Sequence, residues 1–296
     1  MSRKVKIYED FINGKYKENS CIYGPSIYFD YYKLTHDQVI KIANTIEYDT
    51  YIESLSFHNC NIQNESAIYL FNKLKNNNTI KVLILHGNKI EESGFIVLFE
   101  LIKTNNTITS LSLSSIRIKS SIKHISEMIK TNSTLTILNL GNTRINSKYI
   151  KSLSKALEHN NSIVELHLYK NNLESKHLLK LFRSKTIKLL NLHTCNLSSK
   201  FINKIFNVLI QNKTLKELTL SYNEITSDNV FQLCELIKNN DTLEILELGN
   251  NKFDNDDNVK ILNALTQNSR LIEIYLGQTD SKNILIEDKE DVRIIK

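Results

Sequence analysis

Tryptophan is absent from this chain of 296 residues, proline occurs once, at Pro25, and glycine only seven times. None of the glycines falls in a G-x-G-x-x-G run, and no phosphate-binding loop, zinc-ligand spacing or nucleophile elbow is present. The cysteines, at positions 21, 60, 195 and 234, are too widely and irregularly spaced for a disulfide framework, which favours a reducing compartment. No apolar run approaches the roughly 18–20 residues that a membrane helix needs. The N-terminal "MSRKVKIYEDFING" carries charge without the apolar stretch of a secretory signal, so a cytoplasmic protein that meets no membrane is expected. A formal charge of +6 is too mildly basic to mark a nucleic-acid binder. With 41% hydrophobic and 24% charged residues, the chain has an ordinary globular composition and can bury a sizeable core. Its heavy use of Asn, Ile and Lys is a mark of AT-rich coding. That suits a giant virus, an intracellular bacterium or a protist, and with either of the first two a host-directed protein of the host cytosol.

Beneath the composition lies a repeat. The segments "IKVLILHGNKI" (80–90), "LTILNLGNTRI" (135–145), "IVELHLYKNNL" (163–173), "LKELTLSYNEI" (215–225) and "LEILELGNNKF" (243–253) share apolar first, fourth, sixth and eleventh places and an Asn or Thr at the ninth. Ten such segments start at Gly24, Ile52, Ile80, Ile108, Leu135, Ile163, Ile187, Leu215, Leu243 and Leu271. Seven of the nine intervals are 28 residues, one is 27 and one is 24, a period inside the solenoid range.

Each unit has two physical halves. The first alternates, as in Leu83–Ile84–Leu85, with the period of a short strand. The second carries apolar residues at helical spacing: Phe95, Leu98 and Ile102; Val230, Leu233 and Ile237; Val259, Ile261 and Leu265. Polar clusters such as "NNNT" (76–79) and "NNDT" (239–242) suit the turns between them. One unit cannot bury its apolar face alone, so the units must stack.

This pattern resembles the ribonuclease-inhibitor-like class of leucine-rich repeats. The resemblance implies an α/β solenoid, a horseshoe with parallel strands on the concave face, helices on the convex face and about 28 residues per repeat. It spans residues 24–279, about ten units whose first and last, "GPSIYFDYYKL" and "LIEIYLGQTD", are degenerate, with 1–23 as an N-terminal cap and 280–296 as a C-terminal cap or tail.

Two histidines stand two places before cysteines, His58 before Cys60 and His193 before Cys195. A Cys–His nucleophile or a metal site are the chemical readings. Both cysteines, however, occupy the ninth place, which in the family points inward, and a buried thiol there replaces the usual Asn. The two pairs lie five units apart, roughly 24 Å at about 4.8 Å per strand, beyond the span of any single metal. Cys234 falls among helical apolar residues and is expected in the core, which leaves Cys21 as the exposed thiol. No catalytic residue, cofactor or metal is expected.

Function is then expected on the concave face. The outward strand places, with those just beside them, supply His58, His86, Glu165, His167, Tyr169, His193, Glu217, Tyr222, Glu247, Glu273 and Tyr275. Tyrosines there favour binding, and the carboxylates, opposed only by Lys170, favour a basic partner. The expectation is a monomeric, non-enzymatic module that binds a protein. The alternative rests on Lys89, Arg117 and Arg144, which take the tenth place in consecutive units. Because the repeat class includes a GTPase-activating member, such a basic rim could regulate a GTPase or another enzyme. Nucleic-acid binding through helix lysines such as Lys123, Lys151 and Lys176 is the weakest of the three readings, and it predicts a steep salt dependence.

Overall fold

The computed structural model describes residues 9–13, 24–118 and 121–277, together with the backbone of 283–286 and 292–295. The chain divides into two compact units, Met1–Thr143 and Arg144–Lys296. In the first, β1 (Ser26–Tyr28), β2 (Ser54–Ser56), β3 (Val82–Ile84), β4 (Ser110–Ser112) and β5 (Ile137–Asn139) are parallel neighbours in chain order. They alternate with α1 (His36–Ile46), α2 (Asn64–Leu74), α3 (Glu92–Thr104) and α4 (Ile122–Thr131). The second unit opens with α5 (Ser147–Leu157). It then runs β6 (Glu165–His167), β7 (Leu189–Asn191), α6 (Ser199–Ile210), β8 (Glu217–Thr219), α7 (Val230–Asn239), β9 (Ile245–Glu247), α8 (Asn255–Leu265) and β10 (Glu273–Tyr275), with the strands again parallel. Two further strands, β11 (Asn283–Ile286) and β12 (Val292–Ile295), continue antiparallel from β10, in the segment read from sequence as a cap or tail. The fold is an α/β leucine-rich-repeat solenoid.

Register follows the repeat intervals. Leu55, Leu83, Leu111 and Leu138 pair in series, as do Leu166, Leu190, Leu218, Leu246 and Ile274, so the shortened intervals are absorbed outside the strands. The 24-residue interval replaces an α-helix by a 3-10 turn at Leu178–Arg183 and opens an outer cleft of about 350 Å3 beside Arg183 and Lys185. The central residue of every repeat strand is buried, and so is the sixth-place residue that follows, Phe29 through Leu276. These side chains meet the apolar faces of the helices, where burial of each large aliphatic group contributes about 1.5–3 kcal/mol.

At the eighth place the chain leaves the strand through a left-handed residue: Tyr31, Asn59, Gly87, Ser115, Asn142, Lys170, Thr194, Tyr222 and Asn250 all have φ between 53° and 69°. This turn aims the ninth residue inward. There Asn223 accepts from the backbone amides of Cys195 and Leu197 through Oδ1, both at 3.1 Å, and donates through Nδ2 to the carbonyls of Leu192 and Leu220, both at 3.0 Å. Asn251 repeats the arrangement on Asn223 and Ile225. Where the ninth residue is Cys or Thr rather than Asn, its own carbonyl takes the amide: Leu34 donates to Cys60 O, Ile118 to Thr143 O and Leu173 to Cys195 O. In those units the tenth residue, Asn61, Arg144 or Asn196, is also left-handed.

A second row of buried amides holds the helix exits. Asn240 Oδ1 accepts from Thr242 N and Leu243 N, while its Nδ2 donates to Leu209 O and Asn212 O. Asn77, Asn132 and Asn212 do the same work, and Asp49 and Ser184 replace the amide where the pattern departs. The N-x-S/T triplets at Asn132, Asn212 and Asn240 are therefore structural, with the amides buried.

Two sequence expectations need correction. Val259 is 56% exposed rather than core, because the buried stripe of α8 runs through Asp257, Ile261, Ala264 and Leu265. Cys234 is only partly buried on α7, its thiol against Lys260 O at 3.6 Å. Cys21 lies outside the described residues.

Replacement of Asn223 by Ala is expected to cost about 1–3 kcal/mol in urea denaturation, because two amides and two carbonyls lose their partner. Cys195→Ser is expected to cost much less, and Leu220→Asp to abolish cooperative unfolding by burying an unpaired charge.

Candidate functional site

Most residues flanking the buried central residue of each strand are half-exposed and form an open sheet face in each unit, although Ser56 and Thr219 are buried and Tyr28 is exposed. In the first unit that face is a chain of polar contacts. Asp30 accepts from Ser56 Oγ at 2.5 Å and from the His58 amide at 3.0 Å. The His58 ring lies 4.6 Å from that of Tyr31 and 4.1 Å, edge-on, from that of His86. His86 Nδ1 shares a 2.5 Å hydrogen bond with Ser114 Oγ, which lies 3.3 Å from Ser112 Oγ. Burial, and then the neighbouring His58 ring, lower the His86 pKa, against an opposing pull from Asp30. Sequence reasoning placed His58 and His86 on one face but missed their contact. The signal was available, since both hold the seventh place in consecutive units and so stand on adjacent strands.

The second unit presents a different surface. The first strand places read, in order across the sheet, Glu165, Leu189, Glu217, Ile245 and Glu273, so carboxylates alternate with aliphatic side chains. The last strand places read His167, Asn191, Thr219, Glu247 and Tyr275. Burial, and then the charges of Glu247, Glu165 and Glu273, push the Glu217 carboxyl above its ordinary range. Tyr275 donates its hydroxyl to Glu273, and that bond with burial pushes the phenol up to about 12. His167 is lowered chiefly by burial, and His193 by burial and then by Lys170. The His193 ring meets Tyr222 edge-on at 4.9 Å, and Tyr222 itself is 48% exposed. Tyr169, half-exposed, stands beside Lys170. Glu165, Glu217, Glu247 and Glu273 form no ion pair among the described residues, whereas Glu47, Glu158 and Glu244 elsewhere pair with lysines.

The histidine–cysteine pairs have no nucleophilic geometry. Cys60 and Cys195 are fully buried, and their thiols donate to Phe29 O at 3.1 Å and Leu168 O at 3.3 Å. Burial pushes the Cys195 thiol up to about 12, far from a thiolate at neutral pH. Among the described residues no group of three or more His, Cys, Asp or Glu is placed to hold a metal ion. No described helix is long and apolar enough to cross a membrane.

Of the tenth-place cations, Lys89 and Arg117 are exposed and line one cleft of about 640 Å3 in the first unit. Arg144 belongs to the second unit, left-handed at φ 63° beside the buried Thr143.

No protein-family model and no curated protein matches the sequence. Similar solved structures include an internalin from Listeria monocytogenes, 15% identical over 89% of this chain and 84% of that one, with a TM-score of 0.48. The tropomodulin C-terminal domain of Caenorhabditis elegans is 12% identical over 60% of this chain and 92% of that one, with a TM-score of 0.40. The actin-binding site 2 of leiomodin-1 is 19% identical over 57% and 86%, with a TM-score of 0.34.

Native protein is expected to protect Cys60 and Cys195 from iodoacetamide at neutral pH while Cys234 reacts, with urea exposing all three to mass-spectrometric detection. A second outcome follows from the lowered His86, His167 and His193. Their stabilising neutral forms are fully present above about pH 6.5 and are lost as pH falls through the lower folded values. The urea midpoint should therefore drop between neutral pH and about pH 5, and His86→Gln should flatten part of that drop.

Proposed function

We propose that the protein is a non-enzymatic protein-interaction module that takes a basic partner on the open sheet face of its second unit. The observation that carries this reading is the row Glu165–Leu189–Glu217–Ile245–Glu273. Burial, and then the charges of Glu247, Glu165 and Glu273, raise the Glu217 pKa, and the carboxylates of the row form no ion pair among the described residues. A partner that brings Lys or Arg side chains relieves that repulsion while its apolar groups cover Leu189 and Ile245. Tyr169, Tyr222 and Tyr275, with His167 and His193, supply the aromatic contact area that concentrates binding energy. Four unpaired like charges favour recognition of a basic surface over a nucleic acid, whose phosphates they would repel. The free thiols of Cys60, Cys195 and Cys234 suit a reducing cytosol, and a monomer leaves the face open.

A second reading has one observation in its favour. Lys89 and Arg117 line a single cleft and have no ion pair among the described residues, so they are available to an acidic partner such as a regulated GTPase.

The test is a paired affinity capture from cytosolic extract with wild type and with a His167→Ala/Tyr169→Ala/Tyr222→Ala/Tyr275→Ala variant of equal melting temperature. A protein held by wild type and lost from the variant is the expected result. Added salt should weaken its retention, as should Glu217→Gln/Glu247→Gln. Equal retention by both columns would defeat the sheet-face reading and direct attention to Lys89 and Arg117.

A further inference from the structure

The ladder of ninth-place residues fails once. At every other eleventh place from Leu34 to Ile225 the backbone amide has an acceptor in the next unit. For Ile62, Ile145, Leu197 and Ile225 it is an asparagine Oδ1, and for Leu34, Ile118 and Leu173 it is the ninth-place carbonyl. Ile90 is the exception, with no acceptor among the described residues. The residue that should serve it is Ile116, which has no side-chain acceptor and whose carbonyl does not take the amide. The amide of Asn88 is left in the same state, although the equivalent amides of Cys195 and Asn223 each bond the next ladder oxygen. A third contact is missing too. The tenth-place amides of Lys89, Asn172, Glu224 and Lys252 donate to the eleventh-place carbonyl before them; that of Arg117 does not reach Ile90 O, and elsewhere the bond is missing only at the left-handed Asn61, Arg144 and Asn196.

The two loops are parted at this point, and the cleft of about 640 Å3 lies between them, bounded by Asn88, Lys89 and Ile90 on one side and by Ser115, Ile116 and Arg117 on the other. Asn88 and Ile90 are 6% and 4% exposed, so their amides have little access to bulk solvent. In the intact units two amides at these places converge on one oxygen, as Cys195 and Leu197 do on Asn223 Oδ1. The break therefore presents two convergent donors, with two unpaired cations at the rim. Glu91 and Glu92 also line the cleft, at the N-cap and first position of α3. They offset the two cations at long range, so capture depends on the short-range donors rather than on the field.

We propose that this broken rung is a carboxylate-binding site. One ligand oxygen takes the position of the missing asparagine oxygen on the Asn88 and Ile90 amides, and Lys89 and Arg117 hold the other. A carboxylate has the planar shape and oxygen placement of the carboxamide it replaces, and its charge strengthens each N–H bond it accepts. The ligand is either a free small carboxylate or an Asp or Glu side chain of a partner.

The experiment follows the Asn88 and Ile90 amide resonances of 15N-labelled full-length protein at constant ionic strength, titrated with acetate, with a capped glutamate amide and with inorganic phosphate. Saturable shifts of both amides with acetate or capped glutamate are expected, and the tighter of the two probes assigns the source. Arg117→Ala should weaken binding roughly tenfold, the scale of one charge-assisted bond. Ile116→Asn restores the rung from within and should abolish the response while raising the melting temperature. No saturable shift at either amide would overturn the proposal, and so would an unchanged response in folded Ile116→Asn. Shifts with phosphate alone would overturn the assignment to a carboxylate.

Discussion

The whole repeat depends on one constraint: a chain that turns at the end of every three-residue strand buries backbone amides that the strand ladder cannot reach. Such an amide left unpaired costs about 1–3 kcal/mol, and the turn recurs in every unit. The asparagine carboxamide meets the constraint because it accepts two amides and donates to two carbonyls at once, as Asn223 does. The left-handed eighth residue exists to aim it. A second row, at the helix exits, applies the same chemistry to the other end of each unit, as in Asn240. Between these two rows the leucines are free to pack.

The substitutions along the rows show how narrow the solution is. A thiol can donate to a carbonyl but offers a poor acceptor, so at Cys60 and Cys195 the main-chain carbonyl takes over and the next residue turns left-handed. Thr143 is handled in the same way. Ile116 is not, and the cleft opens where it stands. The residue type at one inward position thus decides whether two loops are clamped or parted.

With both turns held internally, the outward strand places have no structural duty, and the two units use theirs differently. The first builds a run of hydrogen bonds and ring contacts from Asp30 through His58 and His86 to Ser114. The second leaves four carboxylates without an ion pair among the described residues, beside a Tyr222 that is 48% exposed. Satisfied polar groups make a rigid surface, whereas the carboxylates of the second unit keep the charge on which the proposed basic partner depends.

The strands, their register and the inward places could be read directly from residues such as Leu83, Leu218 and Cys195, because a fixed period ties each of them to one environment. Val259 and Cys234 could not, since helical spacing leaves one turn of latitude about which side meets the sheet. The asparagines at 77, 132, 212 and 240 were legible as turn residues, but their role as a buried row emerged only once each was seen to reach the preceding unit. The sequence by itself determined the repeat, its period and the alternation of buried and open places, because these follow from local patterning. Only the tertiary structure decided that His58 touches His86, that Glu217 is crowded by other carboxylates and that the Ile90 amide has no acceptor among the described residues. Those are relations between residues about 28 or more positions apart, set by the stacking distance of roughly 4.8 Å and by which backbone group each loop leaves unpaired.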